Sequence, residues 1–271
     1  MKYLNQHVII TGGSSGIGKA LAKSLAQQGA NLSLIARDRR KLEQTKQEII
    51  NLTPGQVEIA TADVSDRQSI TSAIQQAIAI LGTPELLITS AGMAHPGYFA
   101  QIPLEIFERT MAVNYFGTLY SIKAILPEML KNNRGQIVMI SSGAGLIGIY
   151  GYSAYCPSKF ALRGLAESLR GELKPQGIKI TIVYPPDTDT PQLAAENKIK
   201  PIETKKITAT AKTWSASAVA AAILTGVDQG RFAIAPGTEL TILNRWHSLL
   251  APFLNWYFEV IINKTNKTRS Q

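Results

Sequence analysis

Tyr155 and Lys159 stand four residues apart, a spacing that puts two side chains on one face of a helix. An ammonium beside a phenol favours the phenolate and lowers the tyrosine pKa. A tyrosine tuned in this way is a general acid or base for a substrate oxygen. The spacing by itself is common. Of the nine tyrosines, however, only Tyr155 has a lysine at that offset. Ser142 lies thirteen residues before Tyr155, at the end of an apolar run, and its hydroxyl is a candidate to hold the substrate oxygen. On a strand, Ser141 and Ser142 point opposite ways, and the sequence does not choose between them. Asn114 is a polar residue inside an apolar helical stretch, either a satisfied core amide or a fourth member of the site. Cys156, the single cysteine, reads as inert packing, and His95 as a loop residue or part of a substrate mouth.

A second constellation precedes these. Thr11-Gly12-Gly13-Ser14-Ser15-Gly16-Ile17-Gly18 follows a β-branched run and opens a helical pattern. Glycines there permit a tight turn and a close approach of backbone to a pyrophosphate. The helix N-terminus offers free N–H groups and the positive end of a dipole. Gly12, Ser14, Ser15, Gly16, Ile17 and Gly18 are therefore candidate dinucleotide-binding residues. Arg37 lies nineteen residues after Gly18, about where a ribose-reading residue falls. Arg37, Arg39, Arg40 and Lys41 outweigh Asp38, and guanidinium forks suit phosphate. The expected cofactor is NADP(H), read by Arg37 and Lys41. Asp63, after the third strand, is a candidate acceptor for the adenine or an N-cap for the next helix.

The elements that must position these residues alternate. Strands are expected at 8–10, 31–36, 57–62, 86–89, 137–140 and 178–183. Helices are expected at 17–28, 41–52, 69–81, 104–131 and 158–173. Such βαβ alternation, with continuous apolar strands, gives an α/β fold with a parallel sheet covered on both faces. The segment 185–214 has no clear period and reads as a mobile loop over the site.

Taken together, the motifs resemble the short-chain dehydrogenase/reductases over residues 5–236. The matching residues are Thr11, Gly12, Gly16, Gly18, Asp63, Ser90-Ala91-Gly92, Asn114, Ser142, Tyr155 and Lys159. Ser90 departs from the asparagine usual there. The resemblance implies a Rossmann-type, doubly wound, seven-stranded sheet and an Asn114, Ser142, Tyr155, Lys159 tetrad. It implies that Tyr155 protonates a carbonyl oxygen, Lys159 lowers its pKa and binds the nicotinamide ribose, Ser142 positions substrate, and Asn114 anchors a water. Thr190 takes the place of the threonine that touches the nicotinamide carboxamide. A homodimer or homotetramer is also implied. The run Pro185-Pro186-Asp187-Thr188-Asp189-Thr190-Pro191 and the stretches Ala194 to Asn197 and Lys200 to Thr204 are similar to those of the 3-ketodihydrosphingosine reductase subfamily. That implies reduction of a long-chain 3-keto amino alcohol to sphinganine. Other 3-oxoacyl, steroid or retinoid ketones are the alternative, and a non-catalytic NADP-sensing protein is the reading from another class.

A chain of 271 residues, 45% hydrophobic and 17% charged, can form one large core. One cysteine excludes an internal disulfide and a cysteine-based metal site, and no metal is expected. The formal net charge is +9, yet no nucleic-acid motif accompanies it, so no nucleic-acid partner is expected. No signal peptide is expected, because the first apolar stretch runs straight into the glycine motif. The catalytic domain is placed at 1–236, with a substrate loop at 187–213, and an apolar helical tail at 237–271. From Leu249, the residues Phe253, Leu254, Trp256, Tyr257, Phe258, Val260 and Ile261 crowd a helix, with His247, Ala251, Asn255 and Glu259 as a narrow polar stripe. Lys264, Lys267 and Arg269 follow. Aromatic residues beside basic ones suit a membrane interface. The expected location is the cytoplasm, with peripheral contact to a membrane through this tail. The competing reading is a helix that caps the domain or builds a dimer.

Overall fold

In the computed structural model, residues 1–209 and 211–269 are described, with side chains through Thr265. The chain opens with β1 (His7–Thr11), α1 (Gly16–Ala26), β2 (Asn31–Ala36), α2 (Arg39–Ile49), β3 (Val57–Thr61), α3 (Arg67–Leu81) and β4 (Leu86–Thr89). It continues through α4 (Leu104–Met111), α5 (Gly117–Lys131), β5 (Gly135–Ile140), α6 (Tyr155–Leu173) and β6 (Ile178–Val183). Then follow β7 (Thr188–Asp189), α7 (Pro191–Ile199), α8 (Ile202–Thr208), β8 (Trp214–Ser215), α9 (Ala216–Asp228), β9 (Ala233–Ile234) and α10 (Thr238–Arg269).

Seven strands pair in parallel in the order β3-β2-β1-β4-β5-β6-β9, and β7 pairs with β8 in a short separate ribbon. Alternation along each strand divides the core. Val8 and Ile10 face α1, α2 and α9, through Leu21, Leu25, Leu42, Val219 and Ile223. Ile9 faces the opposite layer of α3, α5 and α6, through Ile70, Ile74, Ile122, Ile125 and Leu162. A strand buried on both faces has no polar side to show, which is why the runs are continuously apolar. Each fully buried Leu or Ile side chain contributes about 1.5–3 kcal/mol relative to exposure.

Three segments differ from the sequence reading. The stretch 104–131 is not one α-helix. α4 and α5 are joined by a π-helical turn over Ala112–Phe116 that carries Asn114. The turn coincides with Asn114 bonding to Met93 and Ser158, and such bulges gather at functional sites. The segment 187–213, expected as a mobile loop, contains α7 and α8. Thr190 caps α7, its hydroxyl accepting from the Leu193 N–H at 3.2 Å, and Pro191 takes the first turn. Here the buried residues include Glu196, Lys200, Glu203 and Thr204, so hydropathy has no period to show. The terminal helix α10 starts at Thr238 and bends at Trp246, whose φ of −119° and ψ of 21° are not helical. It packs on α8. No helix among the described residues is long and apolar enough to cross a membrane. The expected basic residues Lys267 and Arg269 lie outside the described side chains.

Candidate active site

Strand order reverses between β1 and β4, and a crevice opens beyond the carboxyl ends of the strands, where open α/β sheets bind ligands. This crevice is a cleft of about 1080 Å³. Its wall includes Gly12, Ser14, Ser15, Gly16, Ile17, Arg37, Lys41, Asp63, Ser142, Tyr155, Lys159 and Thr190. Two candidates are not on that wall. Gly18 is buried behind the loop, and Asn114 lies just beneath the surface of the cleft. The glycine loop needs its glycines. Gly12 has φ +73°, and a Cβ there would meet the Ala91 amide nitrogen at 2.7 Å. A Cβ on Gly18 would strike the Gly12 carbonyl oxygen at 2.4 Å. The helix therefore presses against the turn and leaves the N-terminus of α1 facing the cleft.

Tyr155 opens α6 and Lys159 lies one turn on. The Lys159 ammonium donates to the Ile140 carbonyl at 3.0 Å and sits 5.6 Å from the centroid of the Tyr155 ring. Burial pushes Lys159 down to about 8, with the Glu196 carboxylate opposing. Burial, and then Glu196, hold the Tyr155 phenol well above its ordinary range, while a hydrogen bond with Ser142 pulls the other way. The expected lowering of Tyr155 by Lys159 is therefore not what this arrangement produces. The ammonium is engaged by backbone, and burial dominates the phenol.

The two serines separate as alternation requires. Ser141 is buried and donates to the Lys159 carbonyl at 3.0 Å, bracing α6. Ser142 turns to Tyr155 and accepts from the Ala144 N–H at 3.1 Å. Asn114 uses both ends of its amide. Its oxygen accepts from the Met93 N–H at 2.8 Å, and its NH₂ donates to the Met93 carbonyl and the Ser158 hydroxyl, each at 2.9 Å. It clasps the segment after β4 to α6. A Cβ on Gly92 would lie 3.3 Å from the Asn114 oxygen and 3.6 Å from the Lys159 nitrogen, so a glycine keeps these groups close.

At the end of β2, Arg37 and Lys41 border the cleft, whereas Arg39 is bonded to Glu43 at 2.9 Å. Of the four cations counted in sequence, the cleft wall takes these two. Asp38 caps α2, accepting from the Lys41 N–H at 3.1 Å. Asp63 is not the cap of α3. That role falls to Asp66, which accepts from Gln68 N–H at 2.8 Å and Ser69 N–H at 3.0 Å. Asp63 faces the cleft, bonded to Ser65 and to Arg109 at 2.6 Å. Burial raises its carboxyl, but Ser65 and Arg109 outweigh that and hold it below the usual range.

The wall also carries apolar side chains. Ile147, Ile149, Ile207, Leu240, Leu243 and Leu254 line it, the last three from α10. The sequence reading missed this role of α10, because one helix carries apolar residues on two faces and periodicity cannot say which is inward. It also missed Tyr152, Gln192 and Glu196 as lining residues. Their type gave no signal without the fold of α7. His95 lines a separate small cavity beside Tyr98 and Pro201, not the cleft. Cys156 is buried, and burial pushes its thiol up to about 11.

The chain matches the short chain dehydrogenase family over residues 6–200. It is similar to a 3-dehydrosphinganine reductase of Danio rerio, with 42% identity over 243 residues, covering 88% of this chain and 73% of the relative. It is similar to a 3-ketodihydrosphingosine reductase of Dictyostelium discoideum, with 40% identity over 278 residues, covering 96% of this chain and 83% of the relative. Among solved structures, a short-chain dehydrogenase from Sphingobium yanoikuyae in complex with NADPH superposes with a TM-score of 0.79 at 28% identity, covering 90% of this chain and 92% of the other. Levodione reductase shares the fold, with a TM-score of 0.79 at 23% identity, covering 86% of this chain and 96% of the other. The glycine loop, the Ser142, Tyr155 and Lys159 cluster and these likenesses converge: the chain is an oxidoreductase that belongs to the short-chain dehydrogenase family.

Proposed function

We propose that this chain reduces 3-ketosphinganine to sphinganine with NADPH. The observation that carries the reading is one cleft whose wall holds the glycine loop, Tyr155 and a set of apolar side chains. The names of the relatives at about 40% identity narrow the ketone to this substrate.

The cradle fits a dinucleotide: Gly12 and Gly18 leave no room for side chains, and Arg37 and Lys41 offer cations where a 2′-phosphate would lie. NADPH, when bound, supplies the hydride. Ser142 holds the ketone oxygen next to the Tyr155 hydroxyl. Tyr155 gives its proton to that oxygen as the alcohol forms, and its raised pKa keeps the proton available at neutral pH. Lys159 supplies positive charge beside the phenol and reaches for the nicotinamide ribose. Asn114 holds the loop after β4 against α6, and Thr190, which stands against Gly16, would touch the nicotinamide carboxamide of a bound cofactor. Ile147, Ile149 and the α10 leucines take the alkyl chain away from water.

The apolar chain of this substrate has to be collected from a lipid phase. Ile242, Trp246, Leu249 and Trp256 form an exposed apolar stripe along α10, and Leu249 is 72% exposed. We place this stripe at the surface of an anionic membrane, so that the mouth of the cleft opens beside the bilayer. Self-association as a dimer or tetramer is part of the same reading.

The test is product formation. The purified chain with NADPH should convert 3-ketosphinganine to sphinganine, and Tyr155→Phe should lower that rate by about 100- to 10,000-fold. NADPH affinity should stay within about threefold of wild type, because the hydroxyl assigned to proton transfer does not hold the cofactor. Substantial residual turnover by Tyr155→Phe would contradict the assignment.

A further inference from the structure

Glu196 is a carboxylate in the wall of the cleft with 8% of its surface exposed. It accepts from the Tyr152 hydroxyl at 2.5 Å and from the Gln192 amide at 2.9 Å, and both donors are neutral. Among the described residues no lysine, arginine or histidine pairs with it in a salt bridge. The neighbouring cation, Lys200, is directed to Asp187 at 4.0 Å and lies over the Tyr152 ring, 5.9 Å from its centroid. A charge this buried is normally paired with an opposite charge, since neutral hydrogen bonds recover only part of its hydration. Here the side open to a partner is the cleft itself.

The position of the carboxylate relative to the chemistry is also fixed. Tyr152, which holds Glu196, packs against Tyr155 with ring centroids 5.6 Å apart. The charge of Glu196 is felt at both Tyr155 and Lys159. A ketone oxygen bonded to Tyr155 leaves two neighbouring carbons in the cleft whose wall also holds Glu196. In 3-ketosphinganine one of the two bears an ammonium.

We propose that Glu196, positioned by Tyr152 and Gln192, pairs with the ammonium next to the carbonyl and makes the site selective for 2-amino ketones. The inference rests on the reading of this chain as a 3-ketosphinganine reductase. It explains two features together: a buried carboxylate with no salt-bridge partner among the described residues, and its place in the same cleft wall as Tyr155. An uncharged 3-oxoacyl or steroid ketone would leave that carboxylate unpaired on binding, which works against such ketones.

The test compares 3-ketosphinganine with 1-hydroxyoctadecan-3-one, which has the same chain length and no amino group. Wild-type chain with NADPH should favour the amino ketone in kcat/KM, and Glu196→Gln should lower that preference by about 10- to 100-fold, mainly through KM. NADPH binding and Tm of the variant report whether it folds. If it does not fold, the wild-type comparison alone decides. Equal kcat/KM for the two ketones in wild type would overturn the proposal, as would a Glu196→Gln variant that folds and keeps the wild-type preference. A wild type that reduces the amino ketone, with a folded variant that loses both ketones alike, overturns the proposal and leaves the functional reading standing. A wild type that ignores 3-ketosphinganine overturns both.

Discussion

At the scale of single residues, the site combines a phenol held protonated with an ammonium weakened by burial. Lys159 is charged below about pH 8 and neutral above it. Tyr155 is held above the ordinary phenol range and stays protonated through that window. Reduction that uses the Lys159 charge should therefore fall as pH rises through about 8, by up to about tenfold per pH unit. The measurement is kcat/KM against pH for wild type and Lys159→Met. The variant should be slower and should lack the alkaline limb. A wild-type profile that stays flat above pH 8 would contradict the role given to the charge. Arg37 permits a second prediction. Arg37→Asp should weaken NADPH by about 10- to 100-fold and leave NADH nearly unchanged, because a guanidinium–phosphate bond is lost and a repulsion gained. Equal effects on both cofactors, measured by fluorescence titration, would mean that Arg37 does not read the phosphate. The offset of four put Tyr155 and Lys159 on one helix face from the sequence alone, whereas the choice between Ser141 and Ser142 needed the structure. Glu196 was not, since a carboxylate in an aperiodic stretch reads as surface until α7 turns it inward.

At the scale of elements, the strands were the legible part. The expected bounds 31–36, 86–89 and 178–183 coincide with β2, β4 and β6. Burial on both faces left a signal that composition alone carries. The π-turn that presents Asn114 left none, because hydropathy does not distinguish a widened turn from a regular one. α7 and α8 stayed hidden because Glu196, Lys200, Glu203 and Thr204 are buried although polar, so the buried positions leave no apolar period. α10 was half legible: its apolar character was plain, but its division into a cleft face and an outer stripe needed the packing. The outer stripe predicts behaviour. Replacing Trp246, Leu249 and Trp256 together with serine should reduce flotation with phosphatidylserine vesicles by about tenfold or more, since each buried apolar side chain adds a few kcal/mol at most. Unchanged flotation, or a change of oligomeric state without loss of vesicle binding, would favour a protein partner for this face.

At the scale of the whole molecule, the sheet brings three separate stretches of sequence to one cleft. The glycine loop after β1 comes from the first strand–helix unit, Ser142 and Tyr155 from the β5 to α6 connection, and the apolar wall from α10. The fold thus brings the glycine loop, the Tyr155 hydroxyl and apolar side chains of α10 to one cavity. This combination serves a long-chain 3-keto amino alcohol. The most direct measurement is NADPH oxidation by the full chain with 3-ketosphinganine, set against a panel of 3-oxoacyl and steroid ketones. The highest kcat/KM is expected for 3-ketosphinganine. Brisk turnover of another ketone with none of the sphingoid substrate would contradict it.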